Sequence, residues 1–395
     1  MADMVSSKRV ARAATVVRRH RLSPFRDGAF STFLHNPRTA TVLGRLIAAC
    51  FALCLLTGLY SHFLQEPLGW MTFPVRPVWL YRLSQGLHVA TGTALIPLLL
   101  AKLWTVYPRL FTWPVVRSPL HALERLSIAV LVATSLLQLF LGFANTVKWY
   151  PWSFSFRTVH FWLSLVILGS LLIHIAVKLP LLRGNWRKPK DPEPTPASGW
   201  SRRGFFATVA AATVAVTVTT VGQSFTPLGG LALLAPRKPG VGPQGLPVNR
   251  TAAQANVTET ATDAGYRLTV RGPRTYSLSL DELNALPQHE VELPIACVEG
   301  WSQNARWGGV RLRDLLKRAG APPDADVEVA SLETDGHYRT SRMGPEFAQD
   351  AATLLALRLD GETLHIDHGY PARLIAPARP GVLQTKWVAT IEVLS

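Results

Sequence analysis

Ile295-Ala296-Cys297-Val298-Glu299-Gly300-Trp301-Ser302 is the stretch on which the reading of this 395-residue chain turns. Cys297 is the only cysteine after Cys54; the other two, Cys50 and Cys54, lie in an apolar segment far upstream. A solitary thiol beside an acidic residue, a glycine and a tryptophan has two readings. It is an inert buried hydrophobe, or its thiolate is a ligand or nucleophile. The residues before it, Val291–Ala296, read as a strand that delivers the cysteine to a turn.

Working outward, the cysteine stretch is followed by Trp307-Gly308-Gly309-Val310-Arg311-Leu312 and Asp314-Leu315-Leu316. Together they resemble the molybdopterin-binding domain of the sulfite oxidase family, near its periplasmic methionine sulfoxide reductase branch. Leu246-Pro247-Val248-Asn249-Arg250 is similar to the family's opening segment, which touches the pterin. Asp367-His368-Gly369-Tyr370-Pro371-Ala372-Arg373-Leu374-Ile375 and Thr385-Lys386-Trp387 are similar to its closing segment. The resemblance implies that Cys297 is the catalytic residue and the one protein ligand to molybdenum, where a soft thiolate suits a metal already held by sulfur. It implies cofactor contacts from Asn249, Arg250, Cys297, Glu299, Gly300, Trp301, His368, Arg373 and Lys386. Arg and Lys beside glycine-containing turns match a phosphate and a polar pterin. With Ser395 as the last residue, no counterpart of the dimerisation domain of animal and plant sulfite oxidases is expected.

The fold expected of residues 245–395 is α+β, with strands at Tyr266–Arg271, Val291–Ala296, Val327–Glu333, Thr363–Ile366, Ala372–Ile375 and Trp387–Val393. Helices are expected at Leu280–Ala285, which opens with Asp281 and Glu282, and at Leu312–Ala319.

The net charge of +16 would suit a nucleic-acid partner, but its distribution excludes one. Residues 1–222 hold 24 Lys and Arg against 6 Asp and Glu, whereas residues 223–395 hold 17 against 19. The excess accompanies long apolar runs and points to a membrane. Five segments are long enough, or nearly so, to span one: Leu46–Leu64, Gly86–Val106, Leu126–Asn145, Val159–Val177 and Phe205–Val221. The loops expected inside carry 20 basic residues and the alternate loops four. The positive-inside rule therefore places the N-terminus in the cytoplasm and everything after the fifth span outside the cytoplasmic membrane.

The resulting organisation is a basic tail over 1–40, a four-span all-α bundle over 41–180 and a Pro-rich linker over 181–203. An anchor span over 204–222, a tether over 223–244 and the molybdopterin domain over 245–395 follow. The anchor begins Ser201-Arg202-Arg203-Gly204-Phe205-Phe206, which resembles a twin-arginine signal placed inside the chain, with Phe206 where leucine is usual. Export machinery of that kind suits a domain that must cross already folded around its cofactor.

Ionisable residues within spans are costly and default to functional hypotheses. His88 and Lys102 are 14 residues apart, as are His160 and His174, so each pair lies near one helical face with its members roughly 21 Å apart. His88 and His160 are expected level near the outer surface, and Lys102 and His174 near the inner one. The block, including Gln85-Gly86-Leu87-His88-Val89-Ala90-Thr91-Gly92, resembles b-type cytochrome bundles, in which facing imidazoles hold haem. His88 and His160 are the expected iron ligands. His174 is left between a second haem, a quinone site and a structural bond, with Lys102 snorkelling to the interface.

The order of parts resembles an actinobacterial-type fusion of a b-type cytochrome with a sulfite oxidase-family domain. It implies a membrane-bound oxidoreductase that moves an oxygen atom to or from a small sulfoxide- or sulfite-like substrate and exchanges electrons with haem b and quinone. The direction stays open, and a non-catalytic binding domain on a cytochrome-like anchor is the alternative of a different class.

Overall fold

The computed structural model describes residues 34–111, 114–185 and 201–394. Most of the basic tail and the Pro-rich linker lie outside the described residues. Five long helices come first: α1 (Pro37–Gln65), α2 (Leu80–Val106), α3 (Pro119–Val147), α4 (Phe156–Gly184) and α5 (Arg202–Val221). Each is long and apolar enough to cross a membrane. The expected spans all appear, most of them lengthened by a terminal turn that carries polar residues. Large side chains such as Leu100, Trp162, Leu172 and Val214 are exposed on these helices, as an apolar solvent requires.

The described chain forms two compact units. Of the described residues, the first contains 34–51, those of 94–141, 155–185 and 201–214. Here α3 and α4 are joined by an ion pair between Glu124 and Lys178. The Lys102 ammonium donates to the Ala40 carbonyl on α1, and His174 lies within electrostatic reach of Lys102, Lys178 and Glu124. Arg202, at the start of α5, donates to Asn36 Oδ1 (3.2 Å) and Thr39 Oγ1 (3.3 Å). Arg202 thus secures the N-terminus of α1.

The second unit contains residues 52–93, 142–154 and 215–395. Its strands make two five-stranded sheets. One has the order β2 (Tyr276–Ser279), β1 (Arg267–Arg271), β10 (Val388–Leu394), β5 (Asp326–Ser331) and β6 (Thr340–Met343), with only β1 and β10 parallel. The other runs β3 (His289–Ala296), β4 (Ser302–Arg311), β7 (Leu354–Leu359) and β8 (Glu362–Thr363), with β9 (Arg373–Ile375) also on β7. Three short helices used below are α6 (Thr258–Thr262), α7 (Leu280–Ala285) and α8 (Leu312–Arg318). Ser279 caps α7 in a reciprocal capping box with Glu282, which fixes where that helix begins. The core between the sheets and α8 is built from Leu268, Val270, Leu312, Leu316, Val329, Leu355 and Ile391.

Most expected elements of this unit form within a residue or two. Thr363–Ile366 is the correction: only its first residue is in a strand, because His365 accepts from the Asp367 N–H and turns the chain into a 3-10 turn, Ile366–His368. β4 and β7 are additions. Gly309 lets β4 approach β7 so closely that a Cβ there would lie 2.1 Å from the Leu355 carbonyl oxygen.

Candidate functional site

Cys297 directly follows β3 and opens a tight hairpin to β4. Ala296 pairs with Ser302 across it. The Cys297 N–H donates to the Trp301 carbonyl (2.8 Å), and the Gly300 N–H donates to the Cys297 carbonyl (3.0 Å). Gly300 has φ +97°, a conformation that favours glycine. Cys297 is 2% exposed. Burial, and then the neighbouring Glu299 carboxylate, pushes its thiol pKa up, so a proton must leave for it to act as a ligand.

Glu299 is buried two residues on and draws three separated segments together. Its Oε1 lies 3.2 Å from the Lys148 ammonium, and its Oε2 lies 3.7 Å from Arg237 Nε. The same ammonium donates to the Asn249 carbonyl. Lys148 thereby ties the cysteine turn to the opening segment. Trp301 is buried beside this carboxylate.

The closing segment supplies the positive charge. Arg373, 3% exposed, donates from Nη1 to the His368 carbonyl (3.1 Å) and lies over the Trp307 ring at 5.4 Å. Burial brings its pKa down to about 10, with Cys297 opposing. Its Nε has no hydrogen-bond partner among the described residues. The Lys386 ammonium donates to the carbonyls of Arg250 (2.8 Å) and Asp367 (2.7 Å). Burial, reinforced by Arg373, pulls its pKa well down. Arg250 turns its own guanidinium to Glu333 at 3.0 Å. Two neighbouring cations that share burial, one with an unsatisfied N–H, are costly unless an anion joins them. That is the fit expected of a phosphorylated, polar cofactor.

His368, 1% exposed, has its Nε2 at 2.7 Å from the Pro243 carbonyl. Burial lowers its pKa to about 4, with Arg373 and Lys386 adding to the effect. It is therefore neutral at pH 7 and donates its Nε2–H. The unfolded value is about 6.5, so the unfolded chain binds more protons between these pH values. Stability contributed by His368 is complete above about pH 6.5 and is lost as pH falls towards 4, at up to about 1.4 kcal/mol per pH unit. Thermal unfolding monitored by tryptophan fluorescence should show this acid-side slope, and His368→Gln should flatten it. An unchanged slope would remove His368 as its source.

The cysteine turn and the closing segment thus meet, with Arg373 and Lys386 both within electrostatic reach of Cys297. His88 lies in the same unit on α2, and its Nδ1 is 2.9 Å from the Cys54 carbonyl. His160 and His174 belong to α4 in the other unit.

Sequence reasoning missed several residues. Lys148 counted only as a loop charge, although it has φ +57° and lies against the site. Tyr150 lies within electrostatic reach of Glu299 and Cys297. Arg379, buried one residue before the Ala296–Pro380 bridge, has Nε and Nη1 without partners among the described residues.

The family model "Oxidoreductase molybdopterin binding domain" matches residues 254–395. The C-terminal unit carries a molybdopterin-binding oxidoreductase domain. Mouse mitochondrial sulfite oxidase is 30% identical over 159 residues, which is 33% of this chain and 29% of that protein. Chicken sulfite oxidase is 34% identical over 160 residues, covering 33% of this chain and 35% of that one. A protein of Azospira oryzae, named as a protein-methionine-sulfoxide reductase subunit YedZ1, is 34% identical over 132 residues, covering 33% and 49%. The chain thus spans between 29% and 49% of the length of these relatives. The sulfane dehydrogenase SoxCD of Paracoccus pantotrophus aligns at 24% identity and a TM-score of 0.31 over 33% of this chain and 38% of that one. Molybdopterin-domain chemistry and a five-helix apolar region compatible with a membrane anchor therefore coexist in one chain.

Proposed function

We propose that this protein is a membrane-anchored molybdenum oxidoreductase. Its site lies outside the cytoplasmic membrane and moves an oxygen atom to or from a sulfoxide- or sulfite-like substrate. The observation that carries the reading is the buried Cys297 thiol within electrostatic reach of Lys386 and of Arg373, whose Nε lacks a partner among the described residues. The molybdenum cofactor, when bound, supplies the two-electron oxygen-atom chemistry. Cys297, once deprotonated, would hold the metal. Arg373 and Lys386 hold phosphate or pterin, with Asn249, Arg250 and His368 shaping that side. Gly300 permits the turn, and Glu299 and Trp301 keep it in place. Direct metal analysis tests this: about one molybdenum per chain is expected, and its absence would leave a binding domain on a membrane anchor.

We propose haem b as a second cofactor, with His88 and His160 as its candidate iron ligands, exchanging electrons with quinone in a four-span cytochrome region fused to the molybdopterin domain. When bound, haem supplies one-electron transfer. Support comes from His88, whose Nδ1 faces the Cys54 carbonyl and Thr57 Oγ1 (3.3 Å). Such a bond fixes the ring and its tautomer, as ligand imidazoles need. A Cβ on Gly58 would lie 2.9 Å from His88 Cε1, so α1 must be glycine there. Replacing His88 or His160 by Ala should remove a low-spin b-type absorption band, whereas His174→Ala should spare it. A band surviving either of the first two substitutions would reject that residue as ligand.

Export through a twin-arginine route is the corresponding proposal for Arg202 and Arg203. Because Arg202 bonds to Asn36 and Thr39, the cleaner test is Arg203→Lys alone. Charge is unchanged, so positive-inside anchoring predicts no effect. A receptor-read signal predicts that residues 223–395 stay largely on the cytoplasmic side. Normal exposure to external protease would end the export reading.

A further inference from the structure

The hairpin turn carrying Cys297 packs against α2 and the segment after α5 through nearly every residue from Val298 to Ser302. Gln85 Nε2 donates to the Val298 carbonyl at 3.1 Å. The Ser224 hydroxyl donates to the Gly300 carbonyl, and the Ser302 N–H donates to the Gln223 carbonyl at 2.8 Å. Arg82 clamps the edge, donating to the Ser224 carbonyl (3.2 Å) and to Asn304 Oδ1 (2.8 Å). At the centre, Gly300 lies against Val89: a Cβ on residue 300 would be 2.7 Å from Val89 Cγ2. The contact leaves no room for any larger residue.

The position of this contact is what gives it meaning. Val89 follows His88 directly, and Gln85 lies three residues before it on the same helical face. Across the contact, the Gly300 N–H donates to the Cys297 carbonyl at 3.0 Å, and Val298 is bonded to Cys297 through one peptide. From the imidazole-bearing residue to the thiol-bearing residue the route therefore has one van der Waals step (Val89 to Gly300) or one hydrogen bond (Gln85 to Val298); the rest is covalent or within the turn. Gln85 is itself buried.

We infer that the contact of Gln85 and Val89 with Val298 and Gly300 is the electron bridge between a redox group on His88 and molybdenum on Cys297. The inference rests on the haem and molybdenum assignments proposed above. Electrons cross singly, two per substrate molecule. With a sulfoxide, one quinol gives two electrons and two protons, and the oxygen atom removed leaves as water. With sulfite the balance reverses: water supplies the oxygen atom, and quinone takes up two electrons and two protons. Tunnelling weakens exponentially with the width of a through-space gap, so Val89 and Gln85 set the rate without touching substrate.

The test uses full-length, cofactor-loaded protein with Val89→Ala, Gln85→Leu and both together. The haem band is reduced with dithionite, and its reoxidation on mixing with dimethyl sulfoxide is followed by stopped flow; sulfite and the oxidised band serve for the reverse direction. Reoxidation should slow by clearly more than twofold in the double variant. Molybdenum content, the haem band and turnover driven by reduced viologen, which bypasses haem, should stay as in the unsubstituted protein. Reoxidation within twofold of the unsubstituted rate would overturn the bridge while leaving both cofactor assignments standing. An equal loss of viologen-driven turnover would also overturn it, since the contact would then merely shape the site. Lack of haem or molybdenum in the unsubstituted protein would instead remove the underlying reading, and the bridge with it.

Discussion

Cys297→Ser is expected to abolish turnover with any sulfoxide or oxyanion substrate while leaving the five helices inserted and the haem band intact. The serine hydroxyl is nearly isosteric, so the hairpin should keep its Cys297–Trp301 and Gly300–Cys297 hydrogen bonds, which involve only backbone. What changes is the donor: a hard oxygen replaces the soft sulfur that suits molybdenum. X-ray absorption at the molybdenum edge should then lose one sulfur neighbour. Full activity in the variant, or an unchanged sulfur count, would show that Cys297 is not the ligand.

Arg373→Met should separate cofactor retention from folding. In the unliganded domain, Arg373 is a buried cation with an unsatisfied N–H and another cation nearby. Replacing a poorly compensated buried charge with an apolar side chain of similar length is often neutral or stabilising. Cofactor-free Arg373→Met protein should therefore melt no lower than cofactor-free parent protein. With cofactor the sign reverses, because losing a charge-assisted contact to phosphate or pterin costs about 2–5 kcal/mol. Molybdenum content after dialysis should fall steeply, on the order of a hundredfold in apparent affinity. If the variant keeps its molybdenum, Arg373 does not hold the cofactor. If the cofactor-free variant collapses, the guanidinium is structural, through its bond to His368 and its packing on Trp307.

The parts of the molecule that sequence reveals are those with a strong local cause. The five helices follow from apolar length, and α7 from the Ser279-Glu282 capping box. The Cys297 turn was legible because its residue types are unusual together. β4 was not, since Gly308 and Gly309 lower strand propensity; their use, close approach to β7 and a bulge, appears only once the partner strand is in place. β7 reads Leu-Leu-Ala-Leu-Arg-Leu, which suits a helix locally and is a strand because it is covered on both faces. Lys148 and Arg237 beside the site, and Gln85 at its contact with α2, were invisible for a further reason. Each is polar beside a span or tether, where a charge or amide normally faces water, and its partner lies 60 to 215 positions further on.

The fastening of Glu299 also bears on how this protein can be divided. The strand pattern begins near Gly245, and a fragment cut there would look like a complete domain. It would nevertheless lack Lys148 and Arg237, leaving an acid buried beside Cys297 with neither counter-charge, and it would lack Gln223 and Ser224, which bond to Ser302 and Gly300 of the turn. The practical dividing line therefore falls within the helices rather than after them. The Cys297 turn is held by residues from distant parts of the polypeptide, so domain transplantation would have to carry the ends of α1, α2 and α3 that belong to the same compact unit as part of the graft.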